Sequence, residues 1–329
     1  RINHATMVGN MWIIPASAEK PIDARSIRYK KKEEKNIKPF LKWAGGKRQL
    51  LPKIKAYYPF RNEEITKYAE PFVGGGAVLF DVLNQYDLEQ VYISDVNAEL
   101  INAYRGIQQH AEDLLETLWH WQEEFIPRSK DERKMYYLQK RARFNELKSN
   151  GDTSSSIERA ALMIFLNKTC FNGLFRVNRK GLFNVPMGAY KMPRICDREN
   201  IQEISEKLRG ITIVCGDYKE SINFVDSHTF VYLDPPYRPI SETANFTAYT
   251  EVLFDDKKQL ELAAFVRALN QKGARIVMSN SDPKNTNAND DFFDTLYGAY
   301  QIKRVKAARF INAKGGARGY VKELLISNF

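Results

Sequence analysis

The stretch Val231-Tyr232-Leu233-Asp234-Pro235-Pro236-Tyr237 decides the fold that this sequence predicts. The β-branched and aromatic run at residues 230–233 is typical of a short buried strand. The strand ends at the two prolines because neither can donate to a sheet ladder. Asp234 therefore lies at the strand tip. Ligands of open α/β sheets bind beyond the carboxyl ends of the strands, so this position predicts a site.

The chemistry of Asp-Pro-Pro-Tyr suits a flat ring that carries an amine. Asp234 and the Pro235 carbonyl can each accept one N–H bond, and Tyr237 offers a face on which the ring can stack. The same four residues taken alone also fit an ordinary turn. The neighbouring motifs must decide between the two interpretations.

The composition indicates a polyanionic partner. Fifty Lys and Arg against forty Asp and Glu give a formal net charge of +10 over 329 residues, although a basic globular protein without such a partner fits as well. The three cysteines lack the spacing of a metal site, so we expect no metal, and their odd number suits a reducing compartment. No apolar run approaches the ~20 residues of a membrane span. We therefore expect a cytoplasmic protein that needs no membrane.

Two glycine clusters indicate a nucleotide-binding unit. Trp43-Ala44-Gly45-Gly46-Lys47 precedes a helical pattern, and a predicted strand at residues 67–72 runs into Val73-Gly74-Gly75-Gly76 and a second helix. The next strand, at residues 90–94, ends at Asp95, which follows Gly76 by 19 residues. An acidic residue at about this distance reaches ribose hydroxyls. Together these features predict a cofactor that contains adenosine.

The alternation of strands and helices is interrupted in the middle of the chain. Residues 98–148 have a helical pattern, Ser154-Ser155-Ser156 can cap a helix at 157–170, and Lys180-Gly181 lies between two short apolar-polar runs that predict a hairpin. Residues 168–194 contain six Lys or Arg and no acidic residue. A basic ribbon with interleaved aromatic residues fits a DNA groove, and a solvated surface hairpin is the alternative.

The sheet pattern resumes after this insertion. We predict strands at residues 211–215, 230–233, 275–278, 300–310 and 322–326, and an amphipathic helix that begins at Asp255-Asp256. Residues 241–250 are polar and aromatic without periodicity, and we expect a mobile lid there. The glycine-rich residues 312–318 predict either a phosphate contact or a plain hairpin turn.

Four motifs, in this order, resemble the Dam-type D12 family of DNA adenine-N6 methyltransferases. They are residues 40–47 (FLKWAGGK), residues 70–76 (EPFVGGG), Asp95 and Asp234-Pro235-Pro236-Tyr237. The resemblance covers residues 37–329. The hairpin, at residues 171–176 (FNGLFR) and 183–186 (FNVP), is similar to that of restriction-modification enzymes that methylate adenine in GATC.

The resemblance implies an α/β fold, with a Rossmann-like methyltransferase sheet that binds S-adenosylmethionine and an inserted helical and β-hairpin DNA-recognition domain. Residues 37–100 and 205–329 would form the catalytic domain and residues 101–204 the recognition insertion. Residues 1–36 would be a flexible basic arm. The implied partner is double-stranded DNA, the implied source is a bacterium, an archaeon or a phage, and we expect a monomer.

The resemblance also assigns residues. The catalytic residues would be Asp234, Pro235 and Tyr237. The cofactor pocket would be lined by Trp43, Lys47, Phe72, Gly74, Gly76, Asp95, Asp217 and Asp234. DNA contacts would come from Lys42, Phe171, Asn172, Leu174, Arg176 and Pro186, with Arg176 and Lys42 where the family reads guanines. Phe171 departs from the family because a relative has Tyr there, so stacking is kept and a hydroxyl hydrogen bond is lost.

Two other functions compete with this interpretation. Related Pro-Pro-Tyr motifs that begin with Asn methylate protein glutamine or RNA, and Asp234 and the basic hairpin count against them. A DNA-binding protein of the same fold without catalysis is the second alternative. Intact Trp43, Lys47, Asp95 and Asp234 count against it.

Overall fold

The computed structural model describes residues 6–8, 11–13, 36–43, 45, 47–61, 64–149, 157–238, 254–308 and 320–329. It divides the chain into two compact units, Arg1–Asn36 and Ile37–Phe329. The first unit contains an antiparallel hairpin of β1 (Thr6–Val8) and β2 (Met11–Ile13), within the segment predicted to be a flexible arm. The predicted lid at 241–250, the serine cap at 154–156 and the glycine-rich residues 312–318 lie outside the described residues.

The second unit is built on a seven-stranded sheet. Its strands are β3 (Lys67–Glu70), β4 (Gln90–Asp95), β5 (Thr212–Cys215), β6 (Thr229–Leu233), β7 (Arg275–Ser281), β8 (Gln301–Ala308) and β9 (Tyr320–Ser327). The spatial order is β5-β4-β3-β6-β7-β9-β8, with β9 antiparallel to both of its neighbours and the other pairs parallel. The predicted α/β class is confirmed. Strand β7 extends to Ser281, three residues beyond the predicted end.

Helices cover both faces of the sheet, and successive side chains of each strand point to opposite faces. Phe230 and Tyr232 pack with α2 (Ala77–Gln85) and α3 (Ala98–Gln109) on one face, and Val231 packs with α8 (Asp256–Gln271) on the other. All five residues of β6 are buried, as expected for a central parallel strand. Such a strand is mostly apolar, so a carboxylate directly after it is conspicuous.

The strand order creates a switch point beside β3. The chain passes from β3 to β4 and β5 on one side, then returns through β6 on the other side of β3. Loops that follow β3 and β6 therefore leave the sheet at neighbouring carboxyl ends and diverge, which opens the crevice where α/β proteins bind ligands. The second glycine turn follows β3, and Asp234 follows β6.

Four helices that follow α3 in the chain lie between β4 and β5 in sequence. They are α4 (Ala111–Phe125), α5 (Lys130–Ser149), α6 (Ile157–Thr169) and α7 (Arg198–Leu208). Helix α3 begins at Ala98 and packs against β4, β5 and α6, so one helix spans the predicted boundary at residues 100 and 101. Two short helices, α1 (Leu51–Ile54) and α9 (Phe292–Leu296), complete the set in the described residues.

No helix in the described part of the chain combines the length and apolarity that a bilayer crossing requires.

A single side chain joins the predicted DNA-reading segments. Asn167, near the end of α6 and 2% exposed, accepts a hydrogen bond from the Lys42 backbone N–H at 2.8 Å. Its amide nitrogen donates to the carbonyl oxygens of Lys42 at 2.8 Å and Gly173 at 2.9 Å. Because a side-chain amide has both donors and an acceptor, Asn167 can bond the N–H and the carbonyl of Lys42 and also the carbonyl of Gly173.

We expect Asn167→Asp to destabilise the protein. The carboxylate has the same shape but cannot donate, so two carbonyl oxygens lose their donor at a buried position, which costs more than about 2 kcal/mol. Urea unfolding measures the change in the free energy of unfolding. Asn289→Asp, at an exposed position, is the matched control and should change it little. Equal stability of the two variants would contradict the role of Asn167.

Candidate active site

Asp234 is fixed at the tip of β6 by two contacts. Lys47 Nζ lies 2.8 Å from Asp234 Oδ1, and the Ser279 hydroxyl donates to the same oxygen at 2.9 Å. Lys47 also donates to the Gly45 carbonyl at 3.0 Å. Among the described residues both contacts use Oδ1, so Oδ2 is left for another donor. Burial raises the pKa of Asp234, while the charge and hydrogen bond of Lys47 oppose that rise.

Tyr237 is held at its ring face and at its hydroxyl. Lys47 Nζ lies 4.4 Å from the ring centroid, within the range of a cation–π contact. The Tyr237 hydroxyl donates to Glu323 Oε2 at 2.6 Å. Burial raises the Tyr237 pKa well above its usual value, and the charges of Asp234 and Glu323 add to the rise. The phenol is therefore protonated and acts as a donor at neutral pH.

The backbone after Asp234 is anchored by polar side chains of the sheet and of α8. Gln259 Nε2 donates to the Pro236 carbonyl at 3.3 Å. Asn280 Oδ1 accepts from the Arg238 N–H at 3.3 Å, and the Ser281 hydroxyl donates to the Arg238 carbonyl at 3.0 Å. Since the prolines also restrict the torsions, the Pro235 carbonyl is held on a rigid segment.

The second glycine turn is closed by Asp95 at the end of β4. Gly74 N–H donates to Asp95 Oδ2 at 3.1 Å, and Tyr104 OH donates to the Gly74 carbonyl at 3.1 Å. Gly74 and Gly76 have positive φ angles of 49° and 71°. A Cβ on Gly76 would lie 2.5 Å from the Tyr104 hydroxyl, so a larger residue does not fit. Burial raises the pKa of Asp95, and backbone N–H groups oppose it.

The residues around this turn fit a nucleoside-containing cofactor. Asp95 retains acceptor capacity beyond its contacts with the backbone N–H groups of Gly74, Val96 and Asn97, since an ionised carboxylate has about four acceptor positions. Phe72 stacks on Tyr218 with centroids 5.0 Å apart, which places aromatic surface beside the turn. Asp217 is exposed and caps the 3₁₀ helix Tyr218–Asn223 by accepting from Lys219 N–H at 2.9 Å. It follows β5, whose end borders that of β4.

Trp43 and Lys47 join the two clusters. Trp43 packs against the glycine turn so closely that a Cβ on Gly75 would lie 2.8 Å from Trp43 Cβ. Four residues later, Lys47 contacts Asp234 and Tyr237. The structure therefore brings together the predicted residues of both motifs at neighbouring strand ends.

The predicted DNA-reading residues form one exposed surface with Lys42. Lys42 Nζ donates to Tyr190 OH at 3.2 Å, and the Lys42 side chain approaches Gly173 so closely that a Cβ there would lie 2.5 Å from Lys42 Cβ. Phe171 is 51% exposed, and Asn172 is exposed with a φ angle of 54°. Leu174 is half-buried, and exposed Pro186 accepts from the Phe171 N–H at 2.8 Å.

Arg176 lies on the hairpin with its side chain exposed. Its Nε donates to Asn184 Oδ1 at 2.8 Å, across the hairpin. The two arms of the predicted hairpin pair through isolated bridges, Cys170 with Met187 and Val177 with Phe183, and form no continuous ladder. The loop beyond Val177 is closed by Asn178 N–H donating to the Leu182 carbonyl. Side chains of α5 hold the second arm in place: Tyr137 OH donates to the Val185 carbonyl at 2.8 Å, and Asn145 bonds both backbone groups of Phe183.

Among the supporting residues that sequence reasoning missed are Tyr104, Asn167, Ser279 and Glu323. The sequence carries a signal for Ser279. The polar run Ser279-Asn280-Ser281 comes at the end of an apolar strand, in the same kind of position as Asp234. The other three side chains act from elements distant in sequence, and no local pattern marks them. No group of three or more His, Cys, Asp or Glu in the described ranges is arranged to hold a metal ion.

Comparison with known proteins identifies the family. Residues 43–311 match the family described as D12 class N6 adenine-specific DNA methyltransferase. The chain is 45% identical to the type II methyltransferase M.MjaIII of Methanocaldococcus jannaschii, over 89% of this chain and 99% of that protein. It is 38% identical to the type II methyltransferase M1.LlaDCHI of Lactococcus lactis, over 91% and 98%.

A third relative is a DNA adenine methylase. The DNA adenine methylase of Escherichia coli K12 is 34% identical, over 88% of this chain and 95% of that protein. The family match covers more than half of the chain, and the three relatives align over nearly their whole lengths. The chain belongs to the D12 class of N6 adenine-specific DNA methyltransferases.

Proposed function

We propose that the enzyme transfers a methyl group from S-adenosylmethionine to N6 of an adenine flipped out of duplex DNA. We propose GATC as the target and a restriction-modification system as the setting. The observation that carries the proposal is the cluster of Lys47, Asp234 and Tyr237 at the switch point, beside the glycine turn closed by Asp95. Adenine methylation itself follows from membership of the family.

The target base must leave the helix before it can react. The exocyclic amine of adenine is inaccessible inside a duplex, and flipping costs a few kcal/mol of unstacking. Stacking on Tyr237 would offset part of this, since a base–aromatic contact is worth ~1–3 kcal/mol. One face of the ring is covered by Lys47, so the base would use the opposite face.

Asp234 and Pro235 orient the amine. Its lone pair is shared with the adenine ring, so the free amine is a poor nucleophile. If Asp234 Oδ2 and the Pro235 carbonyl each accept one N–H, the nitrogen is held near tetrahedral with its lone pair outward. These contacts strengthen as the nitrogen becomes cationic, which favours the transition state over the ground state. The carboxylate, whose pKa burial raises, can take the proton that the amine loses.

S-Adenosylmethionine supplies a methyl sulfonium when bound. The residues that would hold it are Trp43, Phe72, Gly74, Asp95 and Asp217, with Gly76, Lys47 and Asp234 at the border of the pocket. The acidic tip of β4 suits ribose hydroxyls, and the glycine turn lets a ligand approach the backbone. This chain's own contribution is to bind the donor beside the crevice that receives the base.

The proposals of GATC as the target and of a restriction-modification system are supported by the hairpin and by the relatives. Arg176 and Lys42 are exposed cations on the surface that carries Phe171 and Asn172, and Arg is suited to bidentate contacts with guanine. Identity is higher to the two type II methyltransferases, at 45% and 38%, than to the DNA adenine methylase, at 34%. Reading and transfer residues all come from residues 37–329, so we propose that a monomer acts on double-stranded DNA.

Asp234→Ala tests the catalytic assignment. We expect methyl transfer to GATC duplexes to fall by at least about 10³-fold, because the amine loses its charged acceptor. Tritiated methyl incorporation measures the rate, and thermal unfolding confirms the fold. Asp87→Ala is the matched control, since Asp87 is exposed and precedes β4 at the opposite end of the strands. Full activity of Asp234→Ala would refute the assignment.

The pH dependence of kcat tests the Lys47–Asp234 contact. The amine needs an ionised Asp234, and burial raises that pKa, so the acid limb should lie above the usual Asp range of about 4. Lys47 stabilises the carboxylate, so Lys47→Met should move the limb to higher pH. Lys55→Met, which removes a lysine paired with Asp81, is the control and should leave it in place. An unmoved limb in Lys47→Met would contradict the model of the site.

Arg176→Ala tests the assignment of the hairpin as the reader. We expect a loss of about 1–3 kcal/mol of discrimination at one base pair of the target, because a bidentate contact to guanine is removed. The measurement compares kcat/KM on GATC and on duplexes substituted at each position. Arg179→Ala, on the exposed tip of the same hairpin, should weaken all sequences evenly. An unchanged preference in Arg176→Ala would exclude this residue as a reader.

A further inference from the structure

Tyr237 has a partner that neither the motif nor the proposed mechanism uses. Glu323 Oε2 accepts the Tyr237 hydroxyl at 2.6 Å, across 86 residues of sequence. An O–H···O⁻ bond of this length is charge-assisted and stronger than a neutral hydrogen bond. Because burial and nearby carboxylates keep the phenol protonated, the bond persists through the neutral range.

Glu323 is presented by a rigid part of the sheet. It lies in β9 opposite Ser281 of β7 and opposite Val305 of β8. The next two residues, Leu324 and Leu325, are fully buried, so the strand cannot shift easily. Strand β7 also carries Ser279, whose hydroxyl holds Asp234. Two adjacent strands therefore each support one member of the Asp-Pro-Pro-Tyr motif.

The two contacts of Tyr237 define its ring plane. Lys47 covers one ring face and is itself tethered to Asp234 and to the Gly45 carbonyl. Glu323 fixes the far end of the ring through the hydroxyl. A cation above the face alone would let the ring tilt, and a bond at the hydroxyl alone would let it turn about its long axis. Both contacts are needed to hold one orientation.

We infer that Glu323 is a positioning residue for methyl transfer, which holds the Tyr237 ring in the orientation that stacks on the target adenine. This inference rests on the proposed function, since it assumes that Tyr237 stacks on the base. Glu323 acts through the hydroxyl of Tyr237 and touches neither the base nor the methyl donor. Its loss should reduce kcat and base flipping and leave the KM for DNA nearly unchanged, because the DNA-reading surface is separate.

A double-mutant cycle on the hydrogen bond tests this inference. Glu323→Ala removes the acceptor and Tyr237→Phe removes the donor while keeping the ring. Each should lower kcat by about 10–100-fold, the scale expected when a reacting group is misplaced by about 1 Å. The double variant should be no slower than either single variant, because one bond is lost in all three. Glu323→Gln keeps an acceptor oxygen at the same reach and should recover most of the rate.

The readouts are kcat and KM on a GATC duplex, 2-aminopurine fluorescence at the target adenine, and the melting temperature. The fluorescence increase on binding should shrink in Glu323→Ala and Tyr237→Phe. Glu261→Ala is the matched control: its carboxylate pairs with Lys219 and Lys258, and it should behave as wild type. If Glu323→Ala fails to fold, Tyr237→Phe and Glu323→Gln still test the bond.

Several results would overturn the inference. It fails if Tyr237→Phe retains full kcat and fluorescence, or if the effects of Glu323→Ala and Tyr237→Phe multiply in the double variant. These results differ from a failure of the proposed function. If the proposed function were wrong, the wild-type protein would not methylate GATC duplexes, or Asp234→Ala would remain active. Normal wild-type activity with an inactive Asp234→Ala and a fully active Glu323→Ala would reject the inference alone.

Discussion

The ion pair between Lys47 and Asp234 is the contact on which the site depends. Both side chains are largely withdrawn from water, and a charge in such a place is costly unless it is paired. The pair is completed by the Ser279 hydroxyl and the Gly45 carbonyl, so each charge has a second hydrogen bond. The contact joins the first motif of the catalytic unit to the last across more than half of the chain. It also places the lysine over the ring of Tyr237.

Lys42, Trp43 and Lys47 together contact each part of the molecule to which a function is proposed. Lys42 is tied through its backbone to Asn167 and lies against the recognition segment. Trp43 stacks on Phe175 of the hairpin, 5.6 Å away, and packs on the glycine turn. Within six residues the chain thus passes from the proposed DNA-reading surface to the glycine turn and then to Asp234, the proposed catalytic carboxylate. The geometry suits an enzyme that must couple recognition of a sequence to chemistry on one of its bases.

Local patterns predicted the sheet well and the hairpin only in part. The strands were found because a buried strand has a distinctive apolar run, and Asp234 stood out because it interrupts that run at the correct edge. The predicted hairpin is present only as arms joined by two isolated bridges, and α5 supplies further backbone partners through Tyr137 and Asn145. A side chain from a distant helix leaves no periodic signal in the segment that it holds.

The sequence by itself determined the strands, the glycine turns, the acidic strand tips and the family, because each of these depends on residues close together in the chain. Only the tertiary structure decided which side chains complete them. Ser279 holds Asp234, Glu323 holds Tyr237 and Asn167 holds Lys42, each across 45 to 125 residues of sequence. Such pairs arise because folding brings segments that are distant in sequence into contact, where a polar group must find a partner or lose the hydrogen bond it had with water.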